Sequence, residues 1–166
     1  MKRIKNKIIN TKHIDLIVYD FDGVMTDNKV ITFENGKEAV ITNRSDGLAV
    51  TLIKKKGIPQ IIISTESNKV VIARAKKIGI LVLHNIENKK KCLIEYCKKN
   101  NYNLKKTVYI GNDINDLEVM KIVGIPVCPL DAHQDIRKIS KYVLNKKGGE
   151  GVIRDFADLI TQQKTE

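Results

Sequence analysis

The sequence predicts an α/β fold, a doubly wound, Rossmann-like parallel sheet, from three observations. Short runs rich in Ile and Val alternate with amphipathic segments along most of the 166 residues. Those runs are largely unalternated, as strands covered on both faces are. Glycines stand where the intervening helices should end, at Gly57 and Gly79, with Gly124 after a third. Strand–helix alternation of this kind builds a parallel sheet.

The elements follow in order. Residues 14–20, "IDLIVYD", read as the first strand. Residues 28–43, "NKVITFENGKEAVITN", break the alternation, because two β-patterned runs flank Asn35-Gly36, a strong hairpin signal. This hairpin is inserted after the first strand and is too short to bury much by itself. Helices are expected near 46–56, 67–78, 88–100, 115–123 and 150–163. Strands are expected at 58–64 ("IPQIIIS"), 80–84 ("ILVLH"), 107–110 ("TVYI"), 125–128 ("IPVC") and 141–144 ("KYVL"). With no linker or repeat, residues 14–166 read as a single domain behind a basic leader at 1–13.

Hydrophobic residues make up 42% and charged residues 30%, the balance of a globular protein without membrane spans. The opening "MKRIKNKIINTK" has neither an apolar signal core nor a small-residue cleavage site. A solvated leader and a cytoplasmic location are therefore expected. Cys92, Cys97 and Cys128 lack paired-motif spacing and read as reduced structural thiols. Lys and Arg exceed Asp and Glu by 30 to 19. That excess suits anionic ligands or a lysine-rich solvated surface. With sparse aromatics and no recognition motif, neither a nucleic-acid partner nor a membrane is expected.

Chemistry gathers at the predicted strand ends. "YDFDGVMTD" sets Asp20 and Asp22 two residues apart at the end of the first strand, with Gly23 allowing a sharp turn. In an open parallel sheet, ligands bind outside these carboxyl ends. Two repelling carboxylates there suit a divalent cation such as Mg²⁺, which takes oxygen ligands and keeps room for water and phosphate. The plainer alternative is a solvated turn. Strand two ends in Ser64-Thr65, where a hydroxyl and backbone N–H groups can hold phosphate or simply cap a helix. Lys89, in "ENKKKC", is a candidate counter-charge or one of three solvated lysines. "YIGNDINDLEVM" places Asn112, Asp113 and Asp116 at the same edge.

These four stations, in this order, resemble the motifs of the haloacid dehalogenase superfamily of phosphotransferases. More narrowly, the chain resembles its capless phosphatases of 3-deoxy-2-keto sugar-acid phosphates, across about residues 14–160, including "NRSDG" at 43–47 and "GGEGVIRDF" at 148–156. The same fold occurs as the C-terminal domain of some acylneuraminate cytidylyltransferases. The resemblance implies a fold of the haloacid dehalogenase type with no cap domain. It implies Asp20 as nucleophile, Asp22 as general acid–base, and Ser64 and Lys89 as holders of the phosphoryl oxygens. It implies Mg²⁺ on Asp20, on the backbone carbonyl of Asp22, and on a third ligand. Where the family usually has Asp, this chain has Asn112, so the third ligand is either Asn112 or Asp113.

The resemblance also bears on the substrate. Octulosonate phosphatases usually carry Gly-Arg after the second-motif hydroxyl, whereas this chain has "STESN". That run is similar to the nonulosonate branch. Substrate contacts are then expected from Asn43, Asp46, Gly47, Thr65, Glu66, Arg74 and Lys77. Counted helically, Glu66, Val70, Arg74 and Lys77 share one face, and Arg74 suits a carboxylate. Asp46 is equally placed to cap its own helix. Capless members are typically tetramers whose hairpins pack together while a neighbour's glycine-rich tail closes the site. A homotetramer follows, with Gly148, Gly149 and Gly151 in a mobile tail. The leading expectation is a Mg²⁺-dependent nonulosonate (sialic-acid-type) 9-phosphate phosphatase. The alternatives are octulosonate 8-phosphate hydrolysis and a non-catalytic module tied to a cytidylyltransferase.

Overall fold

A computed structural model describes residues 9–161. Six strands form one parallel sheet: β1 (Leu16–Tyr19), β4 (Gln60–Ile63), β5 (Leu81–Leu83), β6 (Thr107–Ile110), β7 (Ile125–Cys128) and β8 (Tyr142–Val143). Their spatial order is β5-β4-β1-β6-β7-β8, and every pairing is parallel. The chain winds outward one way from β1, then returns and winds the other way from β6. The switch point lies between β1 and β6, and ligand crevices form at such points.

Alternating side chains on each strand supply two cores. Ile17, Tyr19, Ile62, Val108, Ile110 and Val127 face α1 (Arg44–Lys55), α2 (Lys69–Ile78) and α6 (Val152–Thr161). Leu16, Val18, Ile61, Ile63, Tyr109 and Cys128 face α3 (Lys89–Asn100), α4 (Leu117–Met120) and α5 (Gln134–Ile139). Covering both faces explains why the strands read as continuous apolar runs.

The hairpin is present as two-residue strands, β2 (Ile31–Thr32) and β3 (Glu38–Ala39), paired antiparallel around Asn35-Gly36. It projects from the carboxyl end of β1 with Val30, Ile31 and Phe33 half exposed.

Several expectations need correction. Helix α1 starts at Arg44 and is capped by Asn43, whose Oδ1 accepts from Ser45 N at 2.9 Å. Helix α5 was not expected; it is six residues long, and His133 is its N-cap. Gly124 ends no helix but lies flush on the backbone of Lys105, with its N–H donating to Leu104 O at 2.8 Å. The basic leader lies largely outside the described residues; of its last part, Ile9 is buried in the first core and Thr11–His13 form a short 3₁₀ turn.

The glycine-rich segment is no free tail. Gly149 N donates to Val24 O at 3.1 Å, and Gly148 N to Asp131 Oδ1 at 2.9 Å. A side chain on Gly148 would overlap the backbone of Gly23 and Thr26. The segment therefore clamps its own chain's first loop and leads directly into α6.

Candidate active site

Asp20 is the first residue beyond β1, held by its N–H donating to Ile110 O at 2.9 Å. Its Oδ1 accepts from Phe21 N at 2.8 Å and stands 2.8 Å from Lys89 Nζ. The same ammonium lies 2.7 Å from Asp116 Oδ1. All three side chains are nearly or fully buried. Burial pushes Asp20 well above the usual carboxylate range, and the negative charge of Asp116 adds to this while Lys89 opposes it. The two carboxylates hold the Lys89 ammonium above its usual range despite its burial. One ammonium thus serves two carboxyl groups at the floor of the site.

Asp116 was the least singled out of these residues and is the best connected. Its Oδ1 also accepts from Tyr109 OH at 2.9 Å, and its Oδ2 accepts from Asn112 N at 3.0 Å. A side chain on Gly111 would collide with it. Its signal in the sequence was its place beside Asn112 and Asp113 after the strand at 107–110.

After Asp20 the chain turns back on itself. Val24, Met25 and Thr26 all direct N–H groups at Phe21 O. Gly23 adopts φ +77°, open to glycine at little cost. A side chain there would also overlap the Asn112 amide. Buried Thr26, absent from the expected site, ties the loop: its Oγ1 donates to Asp22 Oδ1 at 3.3 Å and accepts from Gly23 N and Asn28 N at 3.2 Å each. Burial and the nearby Glu66 carboxylate raise Asp22 above the usual range, with Thr26 and Lys89 pulling it down. A carboxyl so placed is better suited to carrying a proton.

Asp20, Asp22, Thr65, Glu66, Asn112 and Asp113 all line one cleft of about 350 Å³, joined by Asn28 and Ile114. Ser64, buried at the end of β4, accepts from Glu66 N at 3.1 Å and fixes the loop that carries Thr65.

Among the described residues no three His, Cys, Asp or Glu side chains are grouped to hold a metal. The oxygen set here is of another kind. The inward atom of the Asn112 amide lies 2.9 Å from the Asp22 carbonyl oxygen and 3.3 Å from Asp20 Oδ2. Neighbouring ligands of an octahedral ion with bonds of about 2.1 Å stand roughly 3 Å apart. One carboxylate, one backbone carbonyl and one amide therefore fit a small, hard divalent cation. Asp113 does not join them. Its Oδ1 accepts from Ile114 N at 2.7 Å, and it forms a reciprocal cap with Asp116 on a 3₁₀ turn, exposed to solvent.

The expected substrate face on α2 does not form. The helix begins at Lys69, so Glu66 lies outside it, and Lys77 is exposed away from the cleft. Arg74 turns toward α1, where its Nη2 donates to Asn43 O at 2.7 Å. Gly47 lets α2 pack closely on α1, since a Cβ there would stand 3.3 Å from Ile78. Asp46 does not cap its own helix. Its Oδ1 accepts from Arg154 N at 3.0 Å, in the first turn of α6. Asn43, Asp46, Gly47 and Arg74 thus meet at a junction of α1, α2 and α6, with Asp46 buried and the others half-buried, and none of them lines the cleft.

Comparison with known proteins agrees with this geometry. Residues 2–155 match the haloacid dehalogenase-like hydrolase family. The chain belongs to that family. It sits in the capless phosphatase branch, with no cap domain among the described residues. It is 32% identical to 3-deoxy-D-manno-octulosonate 8-phosphate phosphatase KdsC of Yersinia pestis, over 93% of this chain and 84% of that one. It is 26% identical to N-acylneuraminate cytidylyltransferase A of Danio rerio over 149 residues, 35% of that protein's length. A HAD family hydrolase from Streptomyces avermitilis superposes with a TM-score of 0.90 at 39% identity, over 93% of this chain and 89% of its own. The 3-deoxy-D-manno-octulosonate 8-phosphate phosphatase of Moraxella catarrhalis, solved with magnesium, phosphate and KDO, superposes at 0.86 with 32% identity, over 90% and 86%.

Proposed function

We propose that this protein is a Mg²⁺-dependent phosphatase of a 3-deoxy-2-keto sugar-acid phosphate, with the octulosonate 8-phosphate as the best-supported substrate. The observation that carries the reading is the buried Asp20–Lys89–Asp116 cluster opening on a cleft that Asp22 also lines. The KdsC relatives supply the substrate class.

In this reading Asp20 attacks phosphorus in line and forms an aspartyl-phosphate as the sugar oxygen departs. Asp22, raised toward its protonated form, donates its proton to that oxygen, then accepts one from the water that attacks the aspartyl-phosphate. Lys89 fixes Asp20 through Oδ1 and counters developing phosphoryl charge. Ser64 sets the loop whose Thr65 meets the phosphoryl group. Asp20, the Asp22 carbonyl and Asn112 would hold Mg²⁺, which when bound offsets the repulsion between carboxylate and phosphate.

A nonulosonate 9-phosphate is the second reading, and Glu66 favours it. Glu66 lines both the main cleft and an adjoining one of about 200 Å³, whose walls include Val30, Val40 and Val70. Such a chamber suits a longer leaving group with an apolar substituent. A homotetramer is also proposed. Val30, Ile31, Phe33, Ile41 and Leu48 are 51–70% exposed, an apolar surface on and beside the hairpin that a second copy would cover.

Steady-state phosphate release with Mg²⁺ from the 8-phosphate and the 9-phosphate, beside an Asp20→Asn control, tests the assignment. The larger kcat/KM names the substrate; release from neither by a well-folded chain supports a non-catalytic module.

A further inference from the structure

We propose that Asn112 is a cation-operated amide switch, presenting its nitrogen to Asp20 and Asp22 without an ion and its oxygen to the ion when one binds. The inference rests on the ion-binding part of the function reading and on no particular substrate. The inward amide atom faces two acceptors, the Asp22 carbonyl at 2.9 Å and Asp20 Oδ2 at 3.3 Å. With nitrogen inward, the amide donates to both. With oxygen inward, three oxygens meet, an arrangement that a bound cation makes favourable. The two orientations therefore belong to two states of occupancy.

The surroundings restrict motion to that reversal. The Asn112 backbone is pinned on both sides, its N–H donating to Asp116 Oδ2 at 3.0 Å and its carbonyl accepting from His133 N at 2.8 Å. The bare Gly23 provides the space in which the amide lies. Oxygen and nitrogen of an amide have nearly the same size, so turning the group over exchanges them almost in place.

An aspartate here could not act this way. Its ionised oxygens accept only, and its charge would stand beside two carboxyl groups that already share one ammonium. The amide keeps the ion-free loop satisfied at the expense of ion affinity. Both events meet at Oδ2 of Asp20, which accepts from the amide without an ion and faces the ion when one binds.

The test uses the full chain without substrate. Calorimetric titration with MgCl₂ is compared for wild type, Asn112→Asp and Asn112→Ala, together with thermal unfolding in chelator and in saturating Mg²⁺. The side-chain ¹⁵NH₂ resonances of Asn112, assigned by their loss in the variants, are followed through the titration. The proposal predicts opposite signs for N112D: Mg²⁺ binding tighter by about tenfold or more, as ligand charge dictates, and a lower melting temperature in chelator. N112A should lose on both counts, which keeps the test open if N112D folds only with Mg²⁺. The wild-type amide resonances should shift on saturation. Unchanged Mg²⁺ affinity in N112D, wild-type stability of both variants in chelator, or amide resonances indifferent to Mg²⁺ would each overturn it. A chain that switches with Mg²⁺ yet hydrolyses no sugar phosphate would sink the function reading alone.

Discussion

Lys89 Nζ stands 2.8 Å from Asp20 Oδ1, with both side chains withdrawn from solvent, so the position of a nucleophile at the end of β1 depends on a charge supplied by α3. Asp116 shares that ammonium at 2.7 Å. Removing one partner of a buried ion pair leaves charge without solvent or counter-ion, at a cost of about 3–5 kcal/mol. Lys89→Met should therefore lower the melting temperature by roughly 10 °C in calorimetry. Adding Asp116→Asn should restore much of that stability without restoring turnover. A Lys89→Met single variant as stable as wild type would show that the cluster is not held by charge.

Asp22 acts on the leaving group, so its removal should be felt according to that group's need for a proton. Asp22→Asn is expected to lose on the order of a hundredfold or more in kcat on sugar phosphates. On p-nitrophenyl phosphate, whose leaving group departs without protonation, formation of the phosphoenzyme should be largely spared. Equal losses in single-turnover rates on both would remove the acid role from Asp22.

Asp46 provides a pH dependence separate from the cleft. Burial pushes it up to about 6, with the backbone N–H groups of Arg154 and Ile153 and the Arg74 charge pulling the other way. Its Oδ2 is buried without a partner. Because the folded state holds this proton more tightly than the unfolded chain does, stability from this group is greatest below about pH 4. It falls as pH rises toward about 6 and is then lost, by about 3 kcal/mol in all. The stability difference between Asp46→Asn and wild type, by urea unfolding, should grow in favour of the variant across that window. A difference that stays flat would mean that Asp46 remains ionised throughout.

The hairpin prediction concerns assembly. Phe33→Asp places a charge on the exposed apolar surface that includes Val30 and Ile31. Light scattering should show a smaller species than wild type, with the helical circular dichroism unchanged. A monomeric wild type would rule out the tetramer.

Much of the sheet was legible because its strands are buried on both faces and so carry uninterrupted Ile and Val. Helix α5 was not, since six residues led by His133 give neither periodicity nor a common cap. Asp20 and Asp22 could be placed from the end of the first strand because topology fixes where that end lies; Lys89 opens a helix, and only the family resemblance singled it out among three lysines. The face through Glu66, Arg74 and Lys77 could not be placed, because it carried the helical count back to Glu66, ahead of the Lys69 start that Asn68 caps. Asp46 and Arg74 were sought as ligands for substrate; each instead finds its partners within the chain, across helix junctions that no local pattern reveals.

The most direct test of the central claim is rapid-quench peptide mapping of the enzyme turning over octulosonate 8-phosphate with Mg²⁺. A phosphorylated peptide bearing the modification on Asp20, absent from Asp20→Asn, is the predicted result. Phosphate release that proceeds with no phosphoenzyme, or with wild-type rate in Asp20→Asn, would contradict it.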